Sequence, residues 1–475
     1  LGQRRRQPPA YDPPVKLRLP GTGLAALLLA GCMTVGPDYQ EPALPLPAAW
    51  SAPVSPERED LSRWWERLED PLLVRLVVEA LQASPDLRSA QARLREARAR
   101  RELAGAQRAP GVDAGASAST SRRSDADSTS TLYRAGFDAS WEIDVFGGKR
   151  RALEAAEADL QSAAASLDAT RVSLAAELAR NYVEMRAFQL RLAIARSNLA
   201  GQSETLQLTE WRAQAGQVSS LDVEQARANR EQTRAQLPSL ETSLAAARHR
   251  LAVLLGLPPA ALQERLAEPV SIPRAPAQLA AGIPADVLRQ RPDVRAAERS
   301  LAAETARIGQ AEAARFPGFT LSGSIGLEAM SLDALTGGAT RTRALAAGLS
   351  APLFDGGRLR QQVEIQRAVR ERALIAYESA VLTALEEVEN ALVAFGNSGA
   401  RRAALAEAVT AARNAALLAR HRYHAGLIDF QTVLDTERTV LSIEDSHAAS
   451  EADGVLALIQ LYKALGGGWT PGSAP

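Results

Sequence analysis

The sequence predicts a mainly α fold written twice, each copy running helix, two strands, long helix, turn, helix. Sliding the 475-residue chain along itself by 207 aligns Pro85-Asp86-Leu87-Arg88 with Pro292-Asp293-Val294-Arg295 and Pro110-Gly111 with Pro317-Gly318. The offset drifts to 209 at Gly147-Gly148/Gly356-Gly357 and to 210 at Ala215-Gly216/Ala425-Gly426, so small insertions sit in loops and the element order repeats. Hydrophobic periodicity then changes from helical to alternating and back at matching places in both copies. Composition agrees: aromatics are 4% while AVILMFWYC is 46%, much of it Ala and Leu, which suits closely packed helices.

Taken in order, residues 71–108 carry apolar positions at 3/4 spacing (Leu87, Ala90, Leu94, Ala97) with Pro85 as the one breaker, and Pro110-Gly111 stops the helix. Residues 112–121 and 133–145 alternate small, Ser/Thr-rich and apolar positions, predicting two strands joined by the polar segment 121–131. Gly147 and Gly148 mark a strand-to-helix corner. Leu153, Leu160, Leu167 and Leu174 then recur every seven residues with small residues between them, a seam for a neighbouring helix. From 149 to 213 there is no Pro and one Gly, which allows a rod of roughly 90–100 Å. A turn at Gly216 leads to a second helix with Leu237, Leu244 and Leu251, kinked at Pro238. The second copy places strands near 318–328 and 343–353 around the loop 331–342, a corner at Gly356 and Gly357, a helix with Leu385 and Leu392, a turn at Gly426, and a return to Leu465. The expected divisions are a leader over 1–31, an extended segment over 32–70, repeat one over 71–260, a linker over 261–283, repeat two over 284–468 and a tail over 469–475.

The amino end has the pattern of an export signal. Lys16 and Arg18 precede the apolar stretch 24–30, which runs into Gly31-Cys32, and residues 1–15 are expected to be an over-extended start. Leu29-Ala30-Gly31-Cys32 resembles a bacterial lipobox, with Cys32 as the lipidation site. As the only Cys, it also excludes an intramolecular disulfide framework and a Cys-cluster metal site. Four scattered His and no nucleophile–base pairing point away from an enzyme, and no cofactor or metal is expected. Glu386, Glu387 and Glu389 are expected on solvated faces or in inter-helix ion pairs. The balance of 55 Lys+Arg against 55 Asp+Glu gives no net pull toward nucleic acid.

No apolar run reaches the ~18–20 residues of a membrane-spanning helix. Four strands cannot close a membrane barrel, because hydrocarbon tolerates no open sheet edge and the smallest barrels need about eight. Closure therefore needs several chains, eight strands from two copies or twelve from three. The alternative is a non-channel periplasmic coiled-coil lipoprotein scaffold with a small soluble sheet.

Four separated motifs carry a family resemblance: Val35-Gly36-Pro37-Asp38-Tyr39 after Cys32; Arg291-Pro292-Asp293-Val294-Arg295 within 283–298; Pro352-Leu353-Phe354-Asp355-Gly356-Gly357-Arg358; and Leu461-Tyr462-Lys463-Ala464-Leu465-Gly466-Gly467-Gly468-Trp469. Together they resemble the NodT-type branch of the TolC-related outer-membrane efflux lipoproteins, over about residues 30–470. The resemblance implies long coiled-coil helices forming a periplasmic tunnel, and four strands per chain contributing to a homotrimeric twelve-stranded outer-membrane barrel. It also implies a periplasmic membrane-fusion adaptor and an inner-membrane pump of the resistance-nodulation-division type as partners, with lipid held through acylated Cys32. Trp64-Trp65 is family-like and expected to pack the equatorial region.

The resemblance also marks a tip. Arg422-Tyr423-His424-Ala425-Gly426 and Val433-Leu434-Asp435 match the inner helix pair where relatives close the tunnel, implying a periplasmic gate of Tyr423, Asp429, Asp435 and Arg438. Ile428, Asp429 and Gln431 depart from the family pattern. Three Asp435 carboxylates converging on an axis would repel, hold water and select by charge; alternatively Asp435 pairs with Arg438 three residues on. The adaptor-contact turns are Arg212, Ala215 and Gly216 in copy one and Arg422, Ala425 and Gly426 in copy two. Cargo is expected to be drugs or other small molecules, with metal ions or secreted proteins as alternatives; only three Met and four His argue against a soft-metal lining.

Overall fold

The structure, a computed structural model, describes residues 34–52, 60–122, 129–275, 284–337 and 339–469. Cys32 lies outside the described residues. The elements are α1 (Pro71–Ala83), α2 (Pro85–Ala106), β1 (Gly111–Arg122), β2 (Thr129–Ile143), α3 (Gly148–Gln214), α4 (Ser220–Leu254), α5 (Pro284–Gln290), α6 (Pro292–Ala313), β3 (Gly318–Ala329), α7 (Leu332–Gly337), β4 (Thr340–Ser350), α8 (Arg358–His424) and α9 (Phe430–Ala464). The duplication extends to lengths. α2 and α6 have 22 residues each, α3 and α8 67, and α4 and α9 35.

Several boundaries differ from expectation; β4, for one, is Thr340–Ser350 where 343–353 was expected. The helix predicted over 71–108 is two helices, because Ser84 before Pro85 adopts ψ 132°, away from the α region that the proline ring disfavours. β2 begins at Thr129 inside the predicted loop, since Thr131 and Ser130 face Thr120 and Ser121 in the ladder, their hydroxyls 3.2 and 3.3 Å apart. The loop 331–342 contains the short α7. α4 runs unbroken through Pro238.

Two compact units result: one holds the chain up to Asp38 with Ala104–Glu154 and Ala306–Gln366, the other Tyr39–Leu103, Ala155–Thr305 and the chain from Arg367 onward. The first contains an antiparallel sheet in the order β1-β2-β3-β4, with β1 and β4 at its edges. At its base Gly147 (φ +80°) turns the chain into α3, and a Cβ there would meet Thr34 Cγ2 at 2.6 Å. The glycine leaves room for the N-terminal segment. Val35 N–H donates to the Phe146 carbonyl (3.1 Å), and Arg151 donates to the carbonyls of Val35 and Gly36 (3.1 Å each) and to Asp38 (2.8 Å). Val35, Gly36 and Asp38 are thereby pinned beside the sheet. At the second corner Gly356 and Gly357 also have positive φ, but nothing lies within 4 Å of an added Cβ. Only backbone conformation requires glycine there.

In the second unit the core is built on the middle of α3. Leu167 and Leu174 of the predicted seam are buried, but so are Leu178, Ala179, Tyr182, Val183 and Met185, which makes this stretch buried on several sides. Trp64 is fully buried, its ring centroid 5.8 Å from Trp65 and 5.3 Å from Tyr462. Asp70 caps α1, accepting from Leu72 N–H (2.9 Å) and Leu73 N–H (3.0 Å), a bond set worth ~1 kcal/mol. Its other oxygen accepts from Tyr182 Oη (2.7 Å), which accepts from buried Arg186 (2.9 Å). Arg291 of the 291–295 motif ties the start of α6 to α8 and α9 within the second copy, donating to the Ala464 carbonyl (3.0 Å) and pairing with Asp293 (2.6 Å) and Glu387 (2.7 Å). Glu389 accepts from Ser51 N–H (2.9 Å).

Candidate channel lining and gate

Cross-strand register sorts the sheet's side chains by face. Val112 lies opposite Ala139, Ala139 opposite Gly323 and Gly323 opposite Leu345, so Val112, Phe137, Trp141, Ile143, Ile325, Leu345 and Leu349 share one face. All seven are exposed, Leu345 to 79%. The other face carries Asp113, Ser117, Asp138, Ser140, Ser322 and Ser324, and lines a concavity in the sheet. On it Arg134 and Glu328 form an ion pair of 2.8 Å, and Asp113 and Asp138 stand directly opposite each other. An apolar face, a polar concave face and two edges unpaired among the described residues fit a wall segment between hydrocarbon and a wet lumen.

The predicted gate and turn residues gather at one end of the second unit. α3 and α8 both end in the same turn: Gly216 (φ +73°) and Gly426 (φ +72°) occupy the left-handed position that L side chains disfavour. Gln217 N–H donates to the Arg212 carbonyl (2.8 Å) and Leu427 N–H to that of Arg422 (2.9 Å), a Schellman closure at both tips. Ala215 and Ala425 close the preceding turn onto Trp211 and His421, each at 3.1 Å. Ser219 and Asp222 form a capping box on α4. On α9 the cap is Asp429, which accepts from Thr432 N–H (2.9 Å) and Thr432 Oγ1 (2.6 Å); these bonds hold its carboxyl below the usual carboxylate range. Asp429 therefore serves as the helix cap, a role the sequence reading did not assign.

Tyr423 is half-buried, its ring 5.3 Å from that of Phe430, with the Arg212 guanidinium stacked over it at 4.9 Å. Phe430, Val433, Leu434, Leu206, Ala226 and Ala419 form the small core beneath. Within one chain Asp435 is exposed; it accepts from Gln431 (2.9 Å) and lies 3.6 Å from Arg438, the three-residue pairing anticipated as the alternative. Arg438 also donates to Asn229 Oδ1 on α4 (3.0 Å).

Sequence reasoning missed the polar groups inside this end. Glu437 is 3% exposed. Its Oε1 accepts from Thr205 Oγ1 of α3 (2.8 Å) and lies 3.3 Å from Arg420 of α8, while Oε2 has no hydrogen-bond partner among the described residues. Burial pushes its carboxyl up, only partly offset by Thr205 and Arg420. Gln202, Asn229 and the half-buried Tyr423 also hold buried polar atoms without partners among the described residues; each such atom costs about 1–3 kcal/mol. The available signal was spacing: Glu437 and Glu444 lie seven apart on α9, among apolar neighbours.

A sheet with one face for lipid and one for water, in a chain that also has paired long helices ending in reversals, defines a membrane-channel component. The chain belongs to the outer membrane efflux protein family, whose family model matches residues 76–257 and 283–467. It is 34% identical to Nodulation protein T of Rhizobium leguminosarum bv. trifolii, over 95% of this chain and 97% of that one. It is 35% identical to the pyoverdine export outer membrane protein OpmQ of Pseudomonas putida, over 94% and 96%. Among solved structures, the outer-membrane channel OprN superposes with a TM-score of 0.86 at 40% identity, over 92% of this chain and all of that one. The chain is an outer-membrane efflux channel component whose helices extend into the periplasm.

Proposed function

We propose that three copies join β4 of one chain to β1 of the next in a twelve-stranded barrel, forming a passive exit duct that makes and breaks no covalent bond. The observation that carries this is the sheet itself: its apolar face is exposed and both edges lack strand partners among the described residues, a condition hydrocarbon permits only in a closed ring. Cargo arrives from an inner-membrane resistance-nodulation-division pump through a periplasmic adaptor. Drugs or other small organic molecules suit this role, and the pyoverdine exporter among the relatives supports an organic cargo. Cys32 carries an acyl anchor, a reading supported by the pinning of Thr34–Asp38 beside the sheet base. The deciding experiment is single-channel recording of the purified protein together with its native mass. Ion conductance from an acylated trimer is the expected result; a non-conducting monomer would overturn the reading.

The gate lies at the α8–α9 turn, where Tyr423 and Asp435 share one end of the unit. Tyr423→Ala or Asp435→Ala is expected to raise vancomycin leakage into cells several-fold; unchanged leakage in both would remove them from the gate. Adaptor docking uses the paired turns at Gly216 and Gly426, beside exposed Trp211, Leu221 and Leu427. Arg212→Glu combined with Arg422→Glu is expected to abolish adaptor crosslinking, and wild-type crosslinking in that variant would count against this surface.

A further inference from the structure

Two triads of the same design join α9 to α3 and α8. In the upper one Glu444 takes Arg413 on Oε1 (2.7 Å) and Asn198 Nδ2 on Oε2 (2.8 Å). In the lower one Glu437 takes both Thr205 and Arg420 on Oε1. The two are one heptad apart on every helix: Thr205 follows Asn198 by seven, Arg420 follows Arg413 by seven, and Glu437 precedes Glu444 by seven. They differ in saturation. Glu444 has both oxygens bonded, whereas Oε2 of Glu437 has no partner and is enclosed by the chain's own atoms, out of reach of a neighbouring copy.

The unsatisfied atoms of this region, on Gln202, Asn229, Tyr423 and Glu437, come from all four helices of the bundle. Separation of α9 from α3 would wet them together. We propose that Glu437 is a positioning residue that biases the tip toward release, so that α9 peels from its start up to Glu444, whose saturated triad stops the opening. The direction with pH follows from where the carboxylate is solvated. The packed state favours protonated Glu437 and the released state favours the ionised form, so packing is tightest in acid and is lost as pH rises through the raised pKa of the packed state.

The groups around Glu437 are few. Thr205 faces it from α3 and Arg420 from α8, the latter passing over Gly201 at 3.7 Å from the position of an added Cβ. From α4, Asn229 is engaged by Arg438, and Asp435 turns to Gln431 and Arg438. His421 and His424 are exposed at the end of α8, and Arg212 reaches His424 at 3.5 Å.

The inference rests on the gate reading only for its consequence for transport; release itself is measured separately. The test is hydrogen exchange of the full chain in detergent at pH 4.5 and 7.5, expressed as protection factors so that intrinsic exchange rates cancel. In the wild type, protection over 430–440 is expected to fall about tenfold between the two as the carboxyl ionises, while 455–464 serves as an unchanged folding control. Glu437→Gln should keep the tip protected at both pH values, the histidines being intact. Glu437→Asp should restore the dependence, and Glu444→Gln should lower protection at both. A flat wild-type profile, or a Glu437→Gln tip less protected than wild type at pH 7.5, would overturn the proposal. Absence of conductance in every variant, with exchange following the expected pattern, would count against the duct reading alone.

Discussion

Gly326→Val is expected to eliminate assembled protein from the outer membrane, reducing the proposed trimer at least tenfold. Gly326 and Gly136 face each other across the β2–β3 ladder on its polar side. A Cβ on Gly326 would meet the Ala135 carbonyl oxygen at 2.8 Å and Gly136 Cα at 3.2 Å; one on Gly136 would meet the Ile325 oxygen at 2.7 Å and Gly326 Cα at 2.8 Å. Every atom in the way is backbone, held by the ladder, so no rotamer change relieves the clash. The expected cost, about 3 kcal/mol or more, is at the upper end of overpacking. Gly115 is the control: it lies opposite Gly136 on β1, yet nothing is within 4 Å of its added Cβ. Gly115→Val should assemble normally. Native electrophoresis of outer-membrane fractions checks both, and wild-type trimer levels for Gly326→Val would show that the strands can separate there.

The second large effect is expected in the helical unit. Trp64→Ala should lower stability by about 3–5 kcal/mol, the usual cost of deleting a buried aromatic, read as a fall in the thermal midpoint in detergent. Trp64 lies where the chain before α1 meets the C-terminal motif. Gly468 N–H donates to the Leu61 carbonyl (2.9 Å), and a Cβ on Gly467 would touch Trp64 Cδ1 at 3.0 Å. The glycine run after Leu465 is the slot that admits the indole. Because the indole N–H has no acceptor among the described residues, Trp64→Phe should lose only part of this. Equal losses in the two variants would show that the slot needs the full bicyclic ring and that a smaller aromatic cannot fill it.

Local chemistry made much of the architecture legible. Gly147, Gly216, Gly356 and Gly426 could be placed at corners and turns because a left-handed backbone selects glycine whatever its surroundings. Likewise, strand alternation anticipated the two-faced sheet, since successive side chains must point to opposite sides. The misplaced starts of α2 and β2 were only partly local: Pro85 acts on Ser84 directly, but Thr129 joins its strand because Arg122 lies opposite it.

By itself the sequence determined the element order, the duplication, the reversals at the helix ends and the impossibility of one chain sealing a barrel, because each follows from signals a few residues wide or from their repetition. Tertiary structure alone decided which carboxylates are buried and how well each is bonded. Glu437 and Glu444 sit in similar local sequence, and Thr205 and Asn198 lie more than two hundred residues away. Burial and pairing are properties of distance in space, and helices this long bring remote residues together in ways that no local pattern records.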